Sequence, residues 1–115
     1  MTATSETSLD LLHAVAQQLA AEGPVEIGTM FRSPGLRTGT KIFAFLGHGD
    51  YLIVKLPRAR AQALTSEGGA ELVTMGTRTM REWVEIPALA DYGTTLATWT
   101  ALATEALHFV GNLGD

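Results

Sequence analysis

The chain has 115 residues, 46% of them apolar and 17% charged, with a formal net charge of −4 and no cysteine. That length suits one domain with one core, and the composition lies far from the low-hydrophobicity regime in which chains stay disordered. Disulfides, thiolate zinc sites, iron–sulfur clusters and a cysteine nucleophile are excluded, so folding rests on packing.

In chain order, Leu9, Leu12, Val15, Ala16, Leu19 and Ala20 recur at helical spacing, which predicts a helix over 9–21. Thr7 or Ser8 would cap its start, and Gly23-Pro24 would end it. Val25, Ile27, Thr29 and Phe31 alternate on one face of a strand, after which Ser33-Pro34-Gly35 supplies turn chemistry. Residues 41–46 and 51–56, rich in β-branched and aromatic side chains, flank Gly47-His48-Gly49-Asp50 as a hairpin. Pro57 stops the second of these strands. A short helix over 58–65 then runs to Gly68-Gly69.

Two more short strands, 71–75 and 81–86, are joined by a turn around Gly76. In the latter, Val84 and Ile86 point to one side, and Arg81, Trp83 and Glu85 to the other. A long helix over 94–110 closes the chain with Leu96, Trp99, Leu102, Ala103, Ala106, Phe109 and Val110 as its apolar stripe. The order predicts an α+β fold as a single domain over 1–115. It is a two-layer sandwich whose antiparallel sheet of about five strands carries the N- and C-terminal helices.

Motifs for chemistry are scarce. His13, His48 and His108 lack a histidine, aspartate or glutamate at metal-ligand spacing and read as surface or loop residues. Ser33 sits in a turn sequence rather than a nucleophile elbow, and the glycines open no phosphate loop. Strand alternation separates Glu82 from Glu85, which favours cross-strand pairing with lysine or arginine over acid–base work. The expectation is a noncatalytic protein, with no cofactor and no metal.

One feature is uneven. All eight basic residues lie between positions 32 and 81, a segment with three acids and a net +5, while the rest of the chain carries −9. Arg32, Arg37, Lys41, Lys55, Arg78, Arg81 and Trp83 are therefore the candidate contacts to an anion or a partner. The far face of the sheet would carry Arg37, Lys41, Lys55 and Arg81. Trp83 beside Arg78 and Arg81 reads either as a stacking platform for a single strand of nucleic acid or as a packing residue under the last helix or in a dimer seam. The basic residues likewise read either as a binding surface or as strand-edge protection paired with acids on the helices.

The run Met30-Phe31-Arg32-Ser33-Pro34-Gly35-Leu36-Arg37-Thr38-Gly39-Thr40-Lys41-Ile42-Phe43-Ala44, followed by Tyr51-Leu52-Ile53-Val54-Lys55-Leu56-Pro57, resembles the N-terminal domain of the TfoX/Sxy competence-regulator family. That family has a Met-Phe-Gly-Gly-x-Gly-Leu-like start, a Gly-Lys-Met/Ile-Phe-Ala strand and a Leu-x-Leu-Lys strand. Arg32-Ser33 stands where the family usually has two glycines. The resemblance implies a two-layer α+β fold of the kind also seen in YjbR-like proteins and type III secretion chaperones. It implies no enzyme activity and a regulatory role linked to transcription or competence, through protein or nucleic-acid contacts.

The N-terminus lacks the form of a secretory signal, and no stretch nears the roughly 20 apolar residues that span a bilayer, so a cytoplasmic location without membrane contact is expected. Self-association or a protein partner is expected because a sheet covered on one side leaves a face or edge to protect. The alternative function is a small-molecule-binding protein or enzyme with a pocket between sheet and helices, with Tyr51, His48 or Trp83 at its mouth.

Overall fold

A computed structural model describes residues 6–30, 33–47, 51–75, 77–89 and 91–112. The elements run α1 (Glu6–Leu19), β1 (Glu26–Met30), β2 (Ser33–Thr38), β3 (Lys41–Leu46), β4 (Tyr51–Lys55), α2 (Arg58–Glu67), β5 (Glu71–Met75), β6 (Arg78–Pro87) and α3 (Tyr92–Gly111). The strands form one antiparallel sheet in the order β1-β2-β3-β4-β6-β5. The fold is α+β, as the sequence predicts, with six strands rather than five.

The extra strand is β2. Ser33-Pro34-Gly35, read above as a turn, is strand, and Gly35 pairs with both Gly28 and Phe45. Proline is tolerated there because Pro34 lies beyond Gly35, the last residue of the β2–β3 ladder, and leaves no ladder donor missing on that side. The tight turn falls at Gly39-Thr40, between the partners Thr38 and Lys41, where Gly39 takes φ +64°. Only glycine enters that left-handed region without strain. The turns expected at residues 48–50 and at Gly76 lie outside the described residues, although Gly47 N–H donates to the Tyr51 carbonyl at 2.9 Å.

All three helices lie on one side of the sheet. Leu11, Leu12, Val15 and Leu19 of α1, Ala61 and Leu64 of α2, and Trp99, Leu102, Ala103, Ala106, Leu107 and Val110 of α3 share one buried cluster with the strand residues Leu36, Ala44, Leu46, Leu52, Val54, Val84 and Ile86. On α1 the buried stripe runs through Leu11 instead of the expected Leu9, which is 36% exposed. The expected Thr7 or Ser8 cap does not stand either, because α1 already includes Glu6 and Ser8 is buried within it.

The β2–β3 register slips between Leu36 and Arg37 and leaves Phe43 as an extra residue on β3. This bulge turns Phe43 into the same cluster as its neighbour Ala44, both fully buried. Asp91 caps α3 by accepting the Thr94 N–H at 2.7 Å, and the Thr94 hydroxyl donates to its other oxygen at 3.0 Å. Gly68 closes α2 in the left-handed conformation.

Candidate functional site

No helix of the described residues lies on the opposite side of the sheet, and strand register fixes what it displays. One row crosses the whole sheet as Gly28, Gly35, Phe45, Ile53, Glu85 and Glu71. Beside it runs a second row, Glu26–Arg37–Ile42 on one flank and Lys55–Trp83 on the other. On the other side of the central row, Tyr51 pairs with Pro87 and is 40% exposed.

Phe45 and Ile53 are only 9% and 7% exposed, yet neither belongs to the helix-side cluster. Glycines account for their burial. A methyl group built at Gly35 would stand 2.9 Å from Phe45 Cβ, and one built at Gly47 would stand 2.9 Å from Ile53 Cδ1. The Ile53 side chain thus occupies space that a larger residue at position 47 would take, and the Phe45 Cβ leaves no room for a side chain at position 35. The Trp83 ring closes the other side, meeting Phe45 edge-on at 5.5 Å between centroids. This is the favoured electrostatic arrangement of two rings. Lys55 Nζ sits over Trp83 at 5.8 Å, within cation–π range.

The sequence-derived contact residues do not gather into one basic surface. Lys55 and Trp83 are brought together. Arg37 shares their face three strands of the sheet away from Trp83, and its Nη2 and Nε donate to Glu26 Oε1 at 2.7 and 3.1 Å. Lys41 stands opposite Thr38 at the end of the β2–β3 hairpin, where the register assigns it to the helix side. Arg81 is exposed beyond Trp83, the last β6 residue paired with β4. Arg78 lies on β6, and Arg32 lies outside the described residues.

The far face is thus mixed in sign, with Glu26, Glu71 and Glu85 beside Arg37 and Lys55. Trp83 does not pack under the last helix; Trp99 fills that place. The ion pairs of basic residues differ from the expected pairing of strand-edge cations with helix acids: Arg37 of β2 meets Glu26 of the neighbouring strand β1, and Arg60 of α2 meets Glu105 of α3 at 2.9 and 3.2 Å. The Glu105 carboxylate raises the Arg60 guanidinium above its ordinary pKa.

Sequence reasoning missed the Glu71–Glu85 pair. Glu85 was expected to meet lysine or arginine, but its two cross-strand neighbours are Ile53 and Glu71. Among the described residues, no ion pair reaches Glu71, Glu82 or Glu85. The pairing depends on a register slip between Leu72 and Val73 on β5, which spacing along the chain does not announce.

His13 and His108 are exposed, the latter 3.2 Å from Glu22 Oε1, and His48 lies outside the described residues. No group of three metal-ligating side chains occurs among the described residues, and no described helix is long and apolar enough to cross a membrane. Between helices and sheet, where a small-molecule pocket was one expectation, the described residues Leu12, Phe43, Leu52 and Trp99 are fully buried. A shallow, open groove lies on the outer surface of α1 and α3, lined by Gln18, Gly93, Leu96, Ala97, Thr100 and Ala101. No protein-family model, curated protein or solved structure matches the chain.

Proposed function

We propose that this chain is a noncatalytic binding module that engages a protein through the uncovered face of its sheet. The observation that carries the reading is the Phe45–Ile53–Trp83 cluster on that face, an aromatic and aliphatic centre with charged residues around it. Interfaces have this anatomy: buried aromatic anchors at the centre and a polar rim. The resemblance to the TfoX/Sxy N-terminal domain supports a regulatory role, since it implies contacts rather than catalysis.

Nucleic acid is the less favoured partner. A phosphate backbone approaching Trp83 and Lys55 meets Glu85 and Glu71 on the next row, and Arg37 is already paired with Glu26.

A photo-crosslinking amino acid placed at Tyr51 or Glu85 tests the reading in cells. Covalent protein adducts are expected from both positions, and adducts that form at Ala97 on the helix layer but not at the sheet positions would overturn it. On heparin at low salt the protein is expected to pass without retention. Salt-sensitive retention lost in Lys55→Glu would turn the assignment to an anionic polymer.

A further inference from the structure

The uncovered face has a property that selects among protein partners. Glu71 and Glu85 stand directly opposite each other with no cation paired to either among the described residues, and like charges in that position destabilise a sheet. Lys55, on the neighbouring row, also makes no ion pair among the described residues and rests over the Trp83 ring. One face therefore holds a cation and two carboxylates that make no close ion pair among the described residues, beside an apolar centre. A surface that carries both halves of each polar contact is what a two-fold symmetric interface requires.

Resting on the reading of this face as a protein-contact surface, we infer that its partner is a second copy of this chain. A two-fold axis crossing the strands between the Phe45–Ile53–Glu85 row and the Ile42–Lys55–Trp83 row exchanges the two rows. Lys55 of one copy then stands over Ile53 of the other, one strand from its Glu85. With a strand separation of about 4.8 Å, a lysine side chain spans that offset. Phe45 meets Ile42 of the other copy, and Trp83 covers the Ile53–Glu85 step, so the apolar centre is buried on both sides.

Magnitude decides the kind of dimer. Six strands about 4.8 Å apart, each giving about five residues of about 3.4 Å, make a face of roughly 400–500 Å² per copy. A standard interface buries about 800 Å² per partner. The assembly is accordingly a weak, reversible dimer whose charge pairs make it salt-sensitive.

Sedimentation velocity between about 1 µM and about 1 mM, at low and high salt, provides the first test. A concentration-dependent shift from monomer to dimer, weakened by salt, is expected; a monomer throughout overturns the inference. The second test exchanges charges. Lys55→Glu and Glu85→Lys each place like charges across the axis, so each variant alone is expected to be monomeric. Mixed in equal amounts they restore both ion pairs, and native mass spectrometry is expected to show a one-to-one heterodimer.

Variants that dimerise like the parent, or that stay apart when mixed, refute this arrangement. The wild-type series does not depend on the folding of either variant. Adducts from Tyr51 or Glu85 to a different protein, without self-association, would sink the dimer and leave the binding module standing. A dimer unaffected by both charge changes, with no adducts from the sheet positions, would sink both.

Discussion

Leu52 and Ile53 are adjacent on β4 and equally apolar, yet they serve opposite faces of the same sheet. Leu52 belongs to the cluster that α1, α2 and α3 cover, and it is fully buried. Ile53 is almost as inaccessible, but what shields it is Gly47 beneath it and its neighbours along the row, with no second layer above it among the described residues. Low exposure thus arises in two ways here. On the helix side it follows from packing between layers, and on the open side from contacts within the face, Ile53 against the space left by Gly47 and the Phe45 ring against Trp83. The first kind should tolerate little change, because a close-packed interior relaxes poorly around a void. The second can collapse toward solvent.

Truncation measures that difference most directly. Leu52→Ala is expected to lower unfolding free energy by about 3–4 kcal/mol, in the middle of the range for buried leucine. Ile53→Ala should lose about 1–2 kcal/mol in dilute solution, because one wall of its site is already open and no closed cavity forms. Urea unfolding of both variants provides the comparison, and equal losses would erase the distinction between the faces. Raising the protein concentration should enlarge the Ile53→Ala loss and leave that of Leu52→Ala unchanged, since only Ile53 lies in the proposed dimer seam.

The glycines sharpen the contrast within the open face. A methyl group at Gly35 would stand 2.9 Å from the Ala44 carbonyl oxygen as well as from Phe45 Cβ. Backbone on a neighbouring strand cannot step aside, so Gly35→Ala is expected to destabilise by about 2 kcal/mol. At Gly47 the close atom is Ile53 Cδ1, the end of a side chain that can rotate. Gly47→Ala should therefore fall under about 1 kcal/mol. Thermal unfolding of the pair checks the order; a larger effect at Gly47 would mean that Ile53 is held as rigidly as a residue between layers.

The helix-side face was the legible one. Periodicity located α1 and α3, and alternation in β6 set Val84 and Ile86 on one face and Trp83 and Glu85 on the other, of which the structure makes the first the core face. These readings use rules local to one element. The missing strand had a local cause of its own: Ser33-Pro34-Gly35 has turn composition, and only its place beyond the end of the β3 ladder lets proline remain in a strand. The open face depended on relations between strands. Nothing in the spacing of Glu71 and Glu85 reveals that a register slip sets them opposite each other, nor that Arg37 spends its charge on Glu26. The basic middle of the chain was real in sequence and did not become a basic surface, because acids from both flanking segments fold back onto it.

Within the helical layer, Arg60 of α2 and Glu105 of α3 form a two-pronged pair that is about 39% exposed at each end. Solvent screens such pairs, so Arg60→Ala is expected to lose only about 0.5–1 kcal/mol. Most of that loss should disappear in high salt, as measured by urea unfolding with and without added sodium chloride. A loss as large as that of Leu52→Ala would show that charge, rather than apolar packing, fastens α2 to the helical layer.

The smallest effect concerns the start of α3, the helix that contributes most to the covered face. The Thr94 N–H and then its hydroxyl stabilise the ionised Asp91 carboxylate and lower its pKa from the ordinary value. A depressed carboxylate contributes stability that is present above the unfolded-state pKa of about 3.9 and is lost as pH falls through the lower folded value. Acidification below about pH 4 should therefore loosen the first turn of α3, with Thr94 amide protection declining as Asp91 takes up its proton. NMR titration of the Asp91 side-chain carboxyl carbon is expected to give a midpoint below that of a free aspartate. The Phe45 and Trp83 ring signals should not move in the same step, because the cap belongs to the helical layer and the rings to the face it leaves uncovered. Ring shifts that track the Asp91 titration would show the two faces to be coupled, and a midpoint at or above the ordinary value would remove the cap's role.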